Sequence, residues 1–412
     1  MTLGAHLMHQ AVGQRHGMVL PPQRAPLSMA DADIVHYGVP RRIDSPWKSA
    51  SGGVARRERD ARLAAIGETV ERAASGLVQL PMSPRRDIPP DERIDAEDFA
   101  LFTPDQRAQP GFPHGSIYDP DCPYVEVFSL VDNSPVWVPQ PFVSLQDPHR
   151  TGVPNSSGLA AGPDAHAALL RGVQELIERD ALMTTWLHGL SGRAVAPPDS
   201  LALEVARLSG EFTVLDLTPA YSPFPVAAVM GGIPKRGVWR YSLGVACKHD
   251  RDSAVNKAYL EWNQGVLFAG VYGELADVSR IQKDTELHSF DEHAMYYTLY
   301  PELWPKLPIL REKNAPYAPS LRTAPEDPRR ALDVTRKALA DAGIRVYYRE
   351  VSTIDAIQAG LRVVKALSPD MALIHSHDAW PFVHKVDGMV ESRYPGRGAE
   401  SQFPNLKPHP LG

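Results

Sequence analysis

Three well-separated stretches of the chain repeat one helical layout, and that repetition constrains the fold more than any other feature. From about Asp60 to Ser75 the sequence runs DARLAAIGETVERAAS. At 100° per residue, Leu63, Ile66 and Val70 share one face, while Glu68 and Glu71, spaced i,i+3, fall well away from it. Asp60 is the candidate N-cap. From about Asp164 to Trp186, Leu169, Leu170, Val173, Leu176 and Ile177 form an apolar stripe. Glu175 and Glu178 sit roughly opposite, and Asp164 is again the candidate N-cap. From about Asp252 to Gly265, Val255, Tyr259, Trp262 and Val266 line up, with Glu261 and Gln264 on the other side. Asp180 falls on the apolar side of the second helix. Burial there requires a partner, an arginine or a backbone amide.

A polar pair opposite an apolar stripe is ordinarily a solvated helix face. Two features point elsewhere. Ala61, Ala64, Ala65 and Gly67 beside the first pair permit another helix to pack close by. Glycine-containing segments, Ser49-Ala-Ser-Gly-Gly53 and Asn155-Ser-Ser-Gly-Leu-Ala-Ala-Gly162, precede the first two helices. Read as loops, they present backbone N–H groups suited to phosphate. Four carboxylates without a nearby basic run would repel one another, and Mg²⁺, a hard ion that bridges carboxylates and phosphates, relieves that repulsion. The chain contains no GxxxxGK[ST] loop and no kinase signature set, so a nucleotide site here belongs to neither of those folds.

Strands are expected at Tyr124–Phe128, Val136–Val138 (an edge strand between prolines), Phe212–Leu217, Val238–Ala246, Ile344–Val351 and Met371–Ile374. Strands mixed with helices, without a regular βαβ repeat, predict an α+β fold. Residues 1–40 form a mobile N-terminal segment, irregular up to about residue 30, ahead of one domain over 41–412. Within it, the proline- and charge-rich stretch of about 80–123 is expected to be an extended connector or surface loop. The proline-rich tail 403–412 can be neither helix nor central strand.

Hydrophobic residues are 43% and charged residues 22% of the chain, which excludes global disorder. A net charge of −6 offers no basic field for nucleic acid. No run of about 18 apolar residues and no signal-peptide core is present, so no membrane span is expected. Cys122 and Cys247 form no disulfide framework, which fits a reducing cytoplasm. His375, His377 and His384 lie close together in IHSHDAWPFVH; on a strand the first two would share a face, as a packed cluster or metal ligands.

The order SASGGV, GETVER, NSSGLAAG, QELIERDA, EWNQ resembles the YcaO family, from about Arg41 to the C-terminus. The resemblance implies a YcaO-type α+β fold and an enzyme that binds ATP through several Mg²⁺ ions. It implies Glu68, Glu71, Glu175 and Glu178 as metal ligands, and Arg72 and Arg179 near phosphates. Lys48 and Ser51 match the first nucleotide-contacting segment. Ser156, Ser157 and Gly162 belong to the second, and Glu261 and Gln264 match the third helical motif.

Azoline-forming members of the family end in a PxPxP-like tail close to the active site. Here Pro408, His409 and Pro410 match that spacing, and Gly412 stands where the last proline would be. His409 is either a proton relay or structural. The implied chemistry is cyclodehydration. A Cys, Ser or Thr of a ribosomally made precursor peptide attacks the preceding carbonyl, the oxyanion takes the γ-phosphoryl group of ATP, and phosphate leaves an azoline ring. With only about 40 residues ahead of the match, a separate E1-like, leader-recognising partner is expected. The resemblance further implies a flavin-dependent azoline dehydrogenase acting next, and the chain is expected to be a homodimer or part of a hetero-oligomer. Thioamide- or amidine-forming members share the same ATP site, and an ATP-binding regulatory subunit is the non-enzymatic alternative.

Overall fold

The structure is a computed structural model that describes residues 3–13, 17–25, 33–40, 49–312 and 322–412. The chain packs into two units, each assembled from separate parts of the sequence.

The first unit takes residues 1–24, 36–176 and 325–371. Strands β1 (Gln23–Arg24), β2 (Val35–Pro40) and β3 (Ser49–Ala55) form a sheet in the order β1-β2-β3. A second sheet has the order β4-β5-β12-β13-β7, built from β4 (Met82–Pro84), β5 (Pro123–Ser129), β12 (Tyr347–Glu350), β13 (Arg362–Leu367) and β7 (Leu159–Gly162). Among the named strands described, β6 (Pro135–Pro139) pairs with β5, with prolines at its ends as expected of an edge strand, and an isolated bridge joins its Trp137 to Arg93. Helices α1 (Leu3–Gln10), α2 (Glu58–Leu77), α3 (Pro104–Ala108), α8 (Pro328–Asp341), α9 (Ile354–Gln358) and α4 (Ala165–Leu187) as far as Leu176 complete this unit.

Several expectations change here. The residues up to about 30 expected to be irregular include helix α1 and the two-residue strand β1. Asp60 lies inside the first turn of α2, whose N-cap position is Arg57 with no side-chain cap. Ala61 and Ala65 admit a strand, not a helix: a Cβ on Gly53 of β3 would sit 2.1 Å from the Ala61 carbonyl oxygen. Gly67 does face a helix, with Met8 of α1 3.7 Å from its missing Cβ, whereas Ala64 is exposed. Within the stretch 80–123, expected to be an extended connector or surface loop, Phe99, Ala100, Leu101, Phe102 and Ile117 are all buried.

The second unit takes residues 25–35, 177–324 and 372–412. Its sheet is antiparallel in the order β11-β10-β9-β8, from β11 (Val238–Cys247), β10 (Val226–Lys235), β9 (Glu211–Asp216) and β8 (Arg193–Val195). The β10–β11 hairpin turns on Arg236 and Gly237, both at positive φ, the geometry that matches strand twist. The unit also holds α4 from Ile177, α5 (Asp199–Arg207), α6 (Arg251–Leu275), α7 (Phe290–Leu299) and α10 (Val390–Arg393). Helix α6 packs Val255, Tyr259, Trp262 and Val266 inward, each at most 1% exposed. It approaches so closely that a Cβ on Gly244 of β11 would meet the Ala258 carbonyl oxygen at 2.1 Å. Met371–Ile374 is buried but is not a strand, so His375 and His377 do not share a strand face. No described helix is long and apolar enough to cross a membrane.

Candidate active site

The four glutamates singled out from the sequence share one device: each accepts a hydrogen bond from a strand or turn backbone amide. In the first unit the Gly52 N–H donates to Glu68 Oε2 at 3.0 Å, the Ala161 N–H to Glu71 Oε2 at 3.1 Å, and the Gly158 N–H to Glu175 Oε2 at 3.3 Å. In the second unit the Cys247 N–H, at the end of β11, donates to Glu178 Oε2 at 3.3 Å. The two glycine-rich segments are therefore mostly strand, not loop. Gly52 and Gly158 meet carboxylates of the helices that follow their own segments, whereas Ala161 meets Glu71 of the earlier helix α2.

Charge is concentrated in the first unit. Burial, then the nearby charges of Glu175 and Glu68, push the Glu71 carboxyl well above its ordinary range, against the Ala161 amide and Arg72, which lower it. Arg72 pairs with Glu68 at 2.7 Å, one helical turn away. Ser51 is 5% exposed, and its hydroxyl finds no hydrogen-bond partner among the described residues. Asn155 Oδ1 accepts the Ser157 N–H at 3.0 Å, and the Ser156 carbonyl accepts the Leu159 N–H at 2.8 Å, shaping the turn before β7. Gly162 is a packing glycine, since a Cβ there would lie 2.6 Å from the Ala168 nitrogen of α4. Lys48 lies outside the described residues.

Sequence reasoning missed Lys365. It lies on β13, 3% exposed, and its ammonium donates to the carbonyls of Asn155 at 2.8 Å and Ser157 at 2.6 Å. Burial pulls its pKa down to about 8, although Glu175 and Glu71 act to raise it. The available signal was a lysine inside the apolar run RVVKAL.

In the second unit Arg179 and Gln264 are half-buried, and Glu261 pairs with Lys257 at 3.0 Å. Asp180, two residues after Glu178, is fully buried and paired as its position required. It accepts from the Tyr221 hydroxyl at 2.7 Å, the Ala372 N–H at 2.8 Å and Arg393 Nε at 3.1 Å.

The tail is neither helix nor strand, yet it is ordered by side chains. Trp186 Nε1 donates to the Lys407 carbonyl at 2.8 Å, the Tyr297 hydroxyl to the Pro408 carbonyl at 2.6 Å, and His293 Nδ1 to the His409 carbonyl at 3.0 Å. Pro410 is buried and His409 wholly so. A Cβ on Gly412 would fall 2.6 Å from Ala294 Cβ, so α7 leaves no room for the proline that the family pattern has there. His375 is buried, with its ring 5.3 Å from that of His409, and His377 Nε2 lies 2.9 Å from His288 Nδ1. Among the described residues no group of three or more His, Cys, Asp or Glu side chains is arranged to hold a metal ion by itself.

Mixed antiparallel sheets with packed helices give the chain an α+β fold, one shared by a family described as ATP- and Mg²⁺-binding. The chain belongs to that family: the model for YcaO cyclodehydratase, ATP- and Mg²⁺-binding, matches residues 52–372. ATP and Mg²⁺ are thus the cofactors its family binds. Solved structures share the fold. A heterocyclase in complex with substrate and cofactor is 20% identical with a TM-score of 0.71, matching 100% of this chain but 57% of that one. YcaO from Methanopyrus kandleri, bound with AMPPCP and Mg²⁺, is 17% identical with a TM-score of 0.63, covering 89% and 88%. The E. coli microcin synthetase McbBCD complex with pro-MccB17 bound is 16% identical with a TM-score of 0.62, covering 95% and 96%. No curated protein matches the sequence.

Proposed function

We propose that this chain is an ATP-dependent cyclodehydratase that forms thiazoline or oxazoline rings from Cys, Ser or Thr residues of a ribosomally made precursor peptide. The observation that carries the reading is the all-oxygen donor set of Glu68, Glu71 and Glu175, each seated on a strand or turn amide, in a chain of the YcaO family. The residues fit the family's group. Mutual repulsion and burial raise Glu71, which a divalent cation would reverse, and the Ser51 hydroxyl is a buried polar atom awaiting a partner.

On this reading Glu68, Glu71, Glu175 and Glu178 are the Mg²⁺ ligands. Arg72 and Arg179 face phosphates. Lys48, Ser51, Ser156, Ser157, Gly162, Glu261 and Gln264 contact the nucleotide, Gly162 through its backbone alone. Bound ATP with Mg²⁺ supplies the phosphoryl group that turns a poor amide-oxygen leaving group into phosphate. The chain's own contribution is positioning and charge neutralisation. Pro408, His409, Pro410 and Gly412 form the catalytic tail, and residues 41–412 form the catalytic domain.

The precursor's leader is bound by a separate E1-like protein, and a flavin-dependent dehydrogenase oxidises the azolines. The chain works as a homodimer or within a hetero-oligomer, in the cytoplasm. Support for partners comes from the McbBCD neighbour, a multi-protein complex holding a pro-peptide. Both cysteines are free and buried, in keeping with a reducing compartment.

The test is to combine the chain with ATP, Mg²⁺ and any Cys/Ser/Thr-rich peptide and E1-like protein found encoded beside its gene. Loss of one water per modified residue, with phosphate released and fragmentation placing each ring on a Cys, Ser or Thr, supports the proposal. Exchange of oxygen for sulfur, or a macrocyclic amidine in the fragments, overturns it. Product formation by Glu178→Ala overturns the assignment of the site.

A further inference from the structure

The C-terminal tail poses a physical problem that the second unit solves in an unusual way. Pro408 and Pro410 have no N–H, so this end of the chain cannot pair as a strand, while its carbonyls still need donors. Three consecutive carbonyls receive them from three side chains: Trp186 of α4 takes Lys407, Tyr297 of α7 takes Pro408, and His293 of α7 takes His409. His293 and Tyr297 are i,i+4 on one helix, so they meet successive residues of an extended tail. The His293 ring also stacks on the His409 ring, with centroids 4.1 Å apart and planes 16° from parallel.

This grip determines the chemistry of His409. Its Nε2 lies 2.7 Å from the His375 carbonyl oxygen. A carbonyl only accepts, so Nε2 carries the proton and Nδ1 keeps its lone pair. Nδ1 is fully buried and has no hydrogen-bond partner among the described residues. The charged and titratable groups acting on it are His293 on α7, His375 from the segment after residue 371 and Arg179 on α4, and Glu292, His377 and Asp378 act in turn on those two histidines. Burial and the neighbouring histidines hold His409 neutral, its pKa well below the ordinary imidazole value.

We propose that Trp186, Tyr297 and His293 are positioning residues: a clamp on three successive tail carbonyls that fixes His409 in one tautomer with an unprotonated Nδ1 as the acceptor offered to the reaction. The inference rests on the tail being catalytic, and the experiments separate the two ideas.

The first measurement is ¹⁵N NMR of histidine-labelled full-length protein, with the His409 signals identified by their loss in His409→Asn. Wild type shows a single neutral Nε2–H tautomer. Tyr297→Phe and His293→Phe, which keep the rings and remove the donors, give the tautomer mixture of a free imidazole. An unchanged single tautomer in both variants overturns the clamp. The second measurement is steady-state turnover of the same neighbouring precursor peptide with its partner, ATP and Mg²⁺. Each variant lowers kcat about tenfold or more with KM for ATP unchanged, because misplacement of a reacting group costs rate, not nucleotide affinity. His293→Asn, whose side-chain amide can donate to the same carbonyl, recovers part of the loss. A chain ending at Lys407 tests the underlying reading: full turnover without residues 408–412 overturns the catalytic tail. Loss of turnover in that truncation together with unaffected kcat in Tyr297→Phe and His293→Phe overturns the clamp alone.

Discussion

The buried ammonium of Lys365 donates to the Ser157 carbonyl at 2.6 Å, and so ties β13 to the turn whose Gly158 amide holds Glu175. One cation thereby shapes, from within the sheet, the backbone of the segment proposed to contact the nucleotide. Lys365→Met keeps the stem and removes the charge. It leaves two buried carbonyls short of a donor, so unfolding free energy falls by about 1–3 kcal/mol. Denaturant unfolding of the purified chain measures this. Stability equal to wild type would show that the turn holds without the lysine.

Glu71 is destabilised by burial beside Glu175 and Glu68. Glu71→Gln keeps an oxygen acceptor for the Ala161 N–H and removes the like charge. The melting temperature without Mg²⁺ and ATP is expected to rise. The further rise that Mg²⁺ with ATP gives wild type is expected to shrink, because a ligand stabilises only in proportion to its binding. Differential scanning fluorimetry with and without Mg²⁺ and ATP reads both effects. An undiminished ligand-dependent rise would remove Glu71 from the metal site.

Asp180 and Arg393 are a buried ion pair with side chains 0% and 7% exposed. Removing one partner strands the other charge. Arg393→Met is therefore expected to cost about 3–5 kcal/mol, whereas the double variant Asp180→Asn with Arg393→Met costs less than the sum of the two single changes. A double-mutant cycle by chemical denaturation checks this, and simple additivity would mean that the pair is not coupled.

Burial lowers His293 to about 4 and His375 to about 3 from 6.5, and holds His409 well below the same ordinary value. Between these values and 6.5 the unfolded chain binds more protons than the folded one. Stability from these three groups is therefore complete above pH 6.5 and is lost as pH falls toward 4. Asp378, raised from 3.8 to about 6, works the other way: its contribution is present below 3.8 and lost as pH rises through 6. Three histidines outweigh one carboxyl, so the melting temperature of wild type falls from pH 7 to pH 5 more steeply than that of His409→Asn. Parallel profiles would mean that His409 is not held neutral.

The helical glutamate pairs were legible because a helix records its faces at a fixed local period. The same period placed Asp180 on the buried side and so required a partner. Which partner was not legible, since Arg393 lies 213 residues away. Strands with a clear flanking pattern, such as β5 and β9, were legible for the same local reason. Strands β3 and β7 read as loops because their glycines suggest turns. In the fold those glycines are spaces that let α2 and α4 approach the sheets.

The sequence by itself determined the three helices, the acidic pairs they carry and the family to which they belong. All of these rest on residues close together in the chain. Tertiary structure alone decided that strand and turn amides hold the glutamates, that Lys365 supports the turn carrying Gly158, and that α7 grips the tail across a separation of 116 positions from His293 to His409. Those relationships join side chains to distant backbone groups, and backbone position is a property of the whole packed chain.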